Sequence, residues 1–422
     1  MTQLTRTDLI QPIESAAEIT EAAQRLRRAA LSTVLTTESV LDLFELWSAA
    51  LDSREVREIP GVTFLRLWLR RGTLEPLLIR ELGSDWLEGR WREEGRSRLR
   101  AFPVGVVGHW PAANIEIQPV LSLTCALLGG NSCVLRVPSG LIEPTRLIMQ
   151  KLEEIDRNRV LSDRIFLAHF NHSRMDVHEA MARAVDGAMI WGGEEAVQQV
   201  RALPFPHWAR VVVFGPRLSV AAMDAGTWAD HERRSWSRRI ARDVWQFEQQ
   251  ACSSPQTLFL ERDGKGNPAD FVEDLQRAFE EENTAHPRVA IEPALTSAIC
   301  RARAAWLLDD LANSARFPNS ADWTILRGTG KTIPQPTQGR TLTVLEADDL
   351  LDVIAGFDGS VQTLGLAVKD RRREELLAEA AGRHGVDRVV RLGQMHVFGS
   401  PWDGMDLVRP MTRVVRHNRS QE

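Results

Sequence analysis

Between Pro103 and Gly215 short apolar runs alternate with helix-like ones, and this alternation limits the fold more than any other feature of the 422 residues. The apolar runs are 104–107, 133–137, 165–170, 188–191 and 210–214, and the segments 117–128, 144–156, 175–184 and 194–203 read as helices between them. Apolar runs without polar alternation bury both faces, so these strands form a parallel sheet covered by helices on each side. Sheets of this kind take ligands at the carboxyl ends of their strands.

The flanking regions extend this frame. Residues 1–100 read as helical, at 16–30, 39–50 and 73–87, the last with Leu74, Leu77, Leu78 and Leu82 in phase. A second α/β region spans 216–395, with a loop rich in Gly, Pro, Thr and Gln at 328–339. The expected organisation is a helical N-terminal region (residues 1–100), an α/β domain 101–215, a second α/β domain 216–395, and a C-terminal segment 396–422. The fold class is α/β.

Composition removes several classes. Hydrophobic residues make up 43% and charged residues 26%, which suits a large buried core. A net charge of −5 disfavours a nucleic-acid scaffold, whose phosphate contacts need a basic surface. Asp8 and Glu14 interrupt residues 1–18 and no apolar run is long enough to span a bilayer, so neither a secretory leader nor a membrane span is expected. Four cysteines (Cys125, Cys133, Cys252 and Cys300) have no ligand-like spacing, which suits free thiols in the cytoplasm. Three of them are expected to be core residues.

Cys252 is the exception. It sits in Gln246-Phe247-Glu248-Gln249-Gln250-Ala251-Cys252-Ser253-Ser254-Pro255-Gln256, with a helical Arg-rich segment before it and the strand-like 257–261 after it. Small polar neighbours and a proline are unlike a core strand and suit a nucleophilic thiolate, which needs access. A buried bystander remains open on local sequence alone. Other candidates have two readings each. Asn114, after the strand 104–107, is an oxyanion donor or a turn residue. Arg136, closing the strand 133–137, holds a cofactor ribose or 2′-phosphate, or is a surface residue. Gly192 and Gly193 admit a pyrophosphate to a helix start, although Glu194 and Glu195 sit poorly beside phosphate. Arg233, Arg234, Arg238, Arg239 and Arg242 bind a phosphorylated carrier or form a solvated helix face. His109 lies near Asn114 in sequence.

Taken in order, Pro103-Val104-Gly105-Val106-Val107-Gly108-His109 with Asn114, Ala126-Leu127-Leu128-Gly129-Gly130-Asn131, Ile190-Trp191-Gly192-Gly193, Gln250-Ala251-Cys252-Ser253-Ser254-Pro255-Gln256, Gln362-Thr363-Leu364-Gly365-Leu366-Ala367 and Trp402-Asp403-Gly404 resemble the aldehyde dehydrogenase superfamily. Within it they most resemble the LuxC-type long-chain acyl reductases, over about residues 100–416. The resemblance implies an aldehyde-dehydrogenase-like fold and a homo-oligomer, with residues 1–100 packed on a Rossmann-type parallel-sheet cofactor domain 101–215, a catalytic domain 216–395, and a segment 396–422 that returns to the cofactor side. It implies Cys252 as nucleophile, Asn114 and the Cys252 N–H as the oxyanion hole, and Arg136, Gly192 and Gly193 as cofactor contacts. The cofactor implied is NADPH, with NADH also open.

Two departures bear on direction. Where hydrolytic aldehyde dehydrogenases carry a water-activating glutamate, this chain has Val213-Phe214-Gly215. Where the superfamily has Glu-x-Phe-Gly-Pro, it has Pro334-Gln335-Pro336-Thr337. Without that base an acyl-cysteine is spared water and can wait for hydride. The expected function is reduction of an acyl thioester (on coenzyme A, a carrier protein or an acyl-transferring partner enzyme) to the aldehyde. Alternatives are a hydrolytic aldehyde dehydrogenase, an acyl-phosphate reductase, or a non-catalytic partner subunit for acyl transfer.

Overall fold

The computed structural model describes residues 9–32, 35–264, 266–288, 290–310 and 312–418. The chain divides into two compact units, 1–215 with 398–422, and 216–397. Most of the expected leader-free stretch 1–18 is described, but residues 1–8 and the final 419–422 lie outside the described residues.

The first unit holds β1 (Ile10–Pro12), β2 (Arg92–Glu94), β3 (Ser97–Pro103), β4 (Val106–Trp110), β5 (Ser132–Arg136), β6 (Ile165–His169), β7 (Gly187–Trp191) and β8 (Arg210–Phe214). Six of these form a parallel sheet in the order β1-β6-β5-β4-β7-β8. Every residue of β4 and β7 is buried, which explains why His109 is their one polar residue. The helices Ala16–Ser32 and Met175–Ala184 cover one face through Ile19, Leu26, Val177 and Met181.

Three sequence expectations needed correction here. The run 104–107 is not one strand: β3 ends at Pro103, Gly105 turns the chain at φ 139°, and β4 begins at Val106. A Cβ on Gly105 would overlap the Asp186 carboxylate, which accepts from the Val106 N–H at 2.9 Å. The helix expected at 73–87 breaks at Gly83 (φ 88°) into Arg71–Leu82 and Ser84–Leu87. Residues 1–100 also contribute strands β1 and β2, too short for periodicity to reveal.

The second unit contains β9 (Leu218–Met223), β10 (Pro255–Glu261), β11 (Ser314–Arg316), β12 (Thr324–Thr329), β13 (Thr341–Ala347), β14 (Val361–Ala367) and β15 (Arg388–Arg391). Their order is β11-β12-β13-β10-β9-β14-β15, parallel except for β11 against β12. Helices Arg233–Trp245 and Pro268–Ala285 pack on one face through Trp236, Val244, Phe271 and Phe279. Leu350–Ile354 and Arg371–Arg383 cover the other.

The chain ends in the first unit with β16 (Thr412–Asn418), antiparallel to β3 in a three-stranded sheet with β2. The buried Glu81 carboxylate pins this return by accepting the N–H groups of Val408 and Arg409, both at 2.8 Å.

Candidate functional site

In the second unit the helix Arg233–Trp245 stops and the chain turns sharply. Phe247, Glu248 and Gln249 all take left-handed backbone angles, with φ 55°, 53° and 60°. Each such non-glycine residue costs about 1–2 kcal/mol, so the turn persists only where its surroundings over-determine it. The side chains supply that. Gln249 is fully buried and donates to the carbonyls of Pro255 (2.8 Å) and Thr341 (2.9 Å), while its Oε1 accepts from Thr341 N (2.7 Å). Glu248 pairs with Arg288 at 2.7 Å and with Arg340. Arg340 in turn lies over the Trp245 ring at 4.7 Å.

The turn delivers Cys252, which is half-buried, to the amino ends of three neighbouring strands. Ser219, at the start of β9, donates to the Cys252 carbonyl at 2.6 Å. Gln362, at the start of β14, donates its Nε2–H to Cys252 Sγ at 3.1 Å. Gln256 of β10 donates to the carbonyls of Gln249 (3.1 Å) and Ser254 (3.3 Å). Gln256 and Gln362 are the extra residues of two β-bulges that flank β9, one between Pro255 and Thr257 and one between Val361 and Thr363. A bulge re-aims a side chain that a regular strand would send to the other face.

Of these supporting residues, sequence reading reached only Cys252. Gln249, Gln362 and Ser219 were given no role there. A polar residue within an apolar strand, as Gln362 is in β14, was the available signal.

The other cysteines are placed differently. Cys125 and Cys133 are buried, and burial raises both thiols well above their usual range. Cys300 corrects the expectation of a core residue: it is exposed, because the helix Pro293–Asp309 buries only Ile299 and Arg303.

Four of the five arginines before Cys252 pair with the neighbouring acidic helix, whereas Arg239 lies over the Trp236 ring at 4.5 Å. Arg233 pairs with Asp274 at 2.6 Å, Arg238 with Glu281 at 2.9 Å and Arg242 with Glu282 at 3.4 Å. This favours the helix-face reading over a carrier site.

In the first unit the strand order reverses direction at β4, where β5 and β6 extend one way and β7 and β8 the other. A cavity opens at the carboxyl ends there, lined by Trp110, Arg136, His172, His178, Ile190 and Trp191 among others. Arg136 closes β5, lies over the Phe170 ring at 5.6 Å, and its buried Nε has no hydrogen-bond partner among the described residues. Trp110 Nε1–H donates to His178 Nδ1 at 3.0 Å. Burial, with the Arg136 charge second, lowers His178 to about 4.

Gly192 and Gly193 connect β7 to the helix Glu194–Arg201, with Gly193 at its N-cap. A Cβ on Gly193 would meet nothing within 4 Å and one on Gly192 only Ala196 at 3.4 Å, so the chain's own packing requires neither glycine. Asn114 is exposed in the turn between β4 and the helix Gln118–Leu128. His109 faces the interior instead: it bonds Ser122 Oγ at 2.8 Å, and burial lowers it to about 3. Ser122 also accepts from Trp191 Nε1–H at 2.8 Å, and Trp191 stacks on Phe214 with centroids 3.7 Å apart. Among the described residues no cluster of three or more His, Cys, Asp or Glu could hold a metal, and no helix is long and apolar enough to cross a membrane.

Two doubly wound sheets, one with a cavity at its switch point and one with a cysteine on a strained turn before a central strand, define an aldehyde-dehydrogenase-like α/β enzyme. Solved structures agree on the fold. An NADP dependent enzyme of E. coli superposes with TM-score 0.73 at 13% identity, covering 96% of this chain and 90% of that one. An indole-3-acetaldehyde dehydrogenase in complex with NAD+ gives 0.72 at 15%, covering 96% and 89%. The chain belongs to the acyl-CoA reductase (LuxC) family, whose sequence pattern matches residues 36–416. The long-chain acyl-protein thioester reductase 2 of Photobacterium leiognathi is 21% identical over 372 residues, 86% of this chain and 74% of that protein.

Proposed function

We propose that this chain reduces an acyl thioester to its aldehyde with NADPH, through an acyl group held on Cys252. The observation that carries the reading is Cys252 itself: accessible, seated on an over-determined turn, with an amide N–H on its sulfur at 3.1 Å.

The Cys252 thiolate attacks the thioester carbonyl, forming a C–S bond and a tetrahedral oxyanion. Asn114 and the Cys252 N–H are the proposed donors to that oxyanion. As the carbonyl reforms, the carrier's C–S bond breaks, its thiolate takes a proton from solvent, and the acyl group stays on Cys252. Reduced nicotinamide supplies a hydride to that acyl carbonyl. The resulting alkoxide reforms C=O, and the bonding pair returns to Cys252 Sγ as the aldehyde leaves. The segment Val213-Phe214-Gly215 offers no carboxylate to activate water, and Phe214 is stacked on Trp191, so the acyl group is kept for reduction.

The first unit's cavity, at the carboxyl ends of β4, β5 and β7, is the proposed seat of the adenosine end of the cofactor. Arg136 would hold its ribose or 2′-phosphate with the Nε–H that has no partner among the described residues, and a cation there favours NADPH over NADH. Gly192 and Gly193 leave room beside the pyrophosphate. The carrier of the acyl group is coenzyme A, a carrier protein or a partner enzyme's cysteine.

The test is to mix enzyme, acyl-coenzyme A and NADPH and identify the product. Aldehyde is expected, with no turnover by Cys252→Ala; full activity of that variant would defeat the reading. Conversion of aldehyde and NADP+ to carboxylate as the main reaction would favour a hydrolytic dehydrogenase. Asn114→Ala is expected to slow turnover about 10²-fold, and an unchanged rate would remove its role.

A further inference from the structure

Gln362 does more than touch the sulfur: the direction of its bond is dictated by what stands behind it. Arg388 Nη1 lies 3.2 Å from Thr363 Oγ1, and Thr363 Oγ1 lies 3.1 Å from Gln362 Oε1. A guanidinium only donates, so Thr363 accepts from Arg388 and its own hydroxyl proton is available to Gln362. An amide oxygen only accepts, so Gln362 presents its oxygen to Thr363 and its NH₂ to Cys252 Sγ, 3.1 Å away. The amide therefore points one way only. Gln362 and Thr363 are both fully buried, where successive hydrogen bonds polarise one another. The β14 bulge places Gln362 at this point, out of register with β9.

We propose that Arg388, Thr363 and Gln362 form a one-way chain of hydrogen-bond donors that ends on Cys252 Sγ and stabilises it as a thiolate. This rests on Cys252 being the nucleophile. The thiolate appears twice in the reaction: before acyl transfer, and again when the C–S bond of the reduced adduct breaks and its electron pair returns to sulfur. A donor on sulfur favours the charged form at both points. Gln362 contacts the reacting atom and is catalytic, whereas Thr363 and Arg388 are positioning residues. An amide takes no proton at neutral pH, so the thiol's proton passes to solvent or to the departing carrier and Gln362 is unchanged.

The experiment follows alkylation of Cys252 by iodoacetamide from about pH 5 to 10. It reads the Cys252 peptide by mass and uses full-length protein carrying Cys300→Ser to remove the other exposed thiol. Gln362→Leu is expected to raise the Cys252 titration midpoint by about one unit and Thr363→Val by less. Gln362→Glu, which sets a carboxylate beside the thiolate, is expected to raise it more than leucine does. A general loss of structure would not produce that order, and Thr363→Val, nearly isosteric, covers the case in which Gln362→Leu fails to fold. Midpoints unmoved in the folded variants overturn the proposal. If they are unmoved while Cys252→Ala is inactive, only the donor chain falls; if Cys252→Ala is active, the nucleophile itself falls.

Discussion

The Ser253 hydroxyl donates to Nδ1 of His396 across 3.0 Å. The direction follows from the far side of the ring, where Nε2 lies 2.7 Å from the Asp243 carbonyl oxygen. A carbonyl only accepts, so the proton is on Nε2 and Nδ1 is left to accept. Burial lowers His396 to about 4, which keeps the ring neutral and this arrangement intact at ordinary pH. Ser253, the residue after Cys252, is thereby tied to the helix Arg233–Trp245, which carries Asp243.

His396 shares its state with two other buried histidines, and this sets a pH dependence of stability. Burial lowers His109 from 6.5 to about 3, and His178 and His396 to about 4. Between about 4 and 6.5 the unfolded chain binds these protons and the folded chain does not, so stability rises with pH across that window. Asp243, raised by burial to about 7, and Glu261, also raised by burial, act in the opposite sense, but they are two groups against three. The thermal midpoint is expected to climb from pH 4.5 to 6.5, and less steeply in His396→Gln. A flat or falling midpoint would contradict this.

Gln249 should reverse the usual ranking of glycine and alanine. Either substitution removes its three buried hydrogen bonds, costing roughly 2–4 kcal/mol. Glycine, however, adopts φ 60° without penalty, so Gln249→Gly should be more stable than Gln249→Ala by about 1 kcal/mol. Urea unfolding of the two variants checks the order. An alanine variant equal to or above the glycine variant would mean that the turn is unstrained.

Arg136→Ala is expected to raise the KM for NADPH about tenfold or more while kcat changes little, and the KM for NADH should rise less. Arg136→Lys should retain most of the affinity. Initial rates with each cofactor measure this, and equal KM values in all three proteins would remove Arg136 from the cofactor site.

The sheets were legible because burial on both faces writes itself into sequence as apolar runs: β4, β5, β7, β8 and β10 all lie within or beside such runs. Gly105 and Gly83 were harder to place, since their effect depends on the distant Asp186 carboxylate in one case and on a local left-handed angle in the other. Cys252 stood out by its polar neighbours. Its supports did not, because a bulge is a property of two strands paired together, and Gln362 is 110 residues from the sulfur it contacts. The arginine cluster shows the converse. Arg238 looked available in sequence, yet Glu281, 43 residues on, is its partner.

The most direct measurement of the central claim is to expose the enzyme to a long-chain acyl-coenzyme A without cofactor and locate the acyl group by peptide mass. A single thioester-linked adduct on the Cys252 peptide, released as aldehyde when NADPH is added, is the expected result. An adduct on another residue, or one that leaves only as carboxylate after NADPH addition, would contradict it.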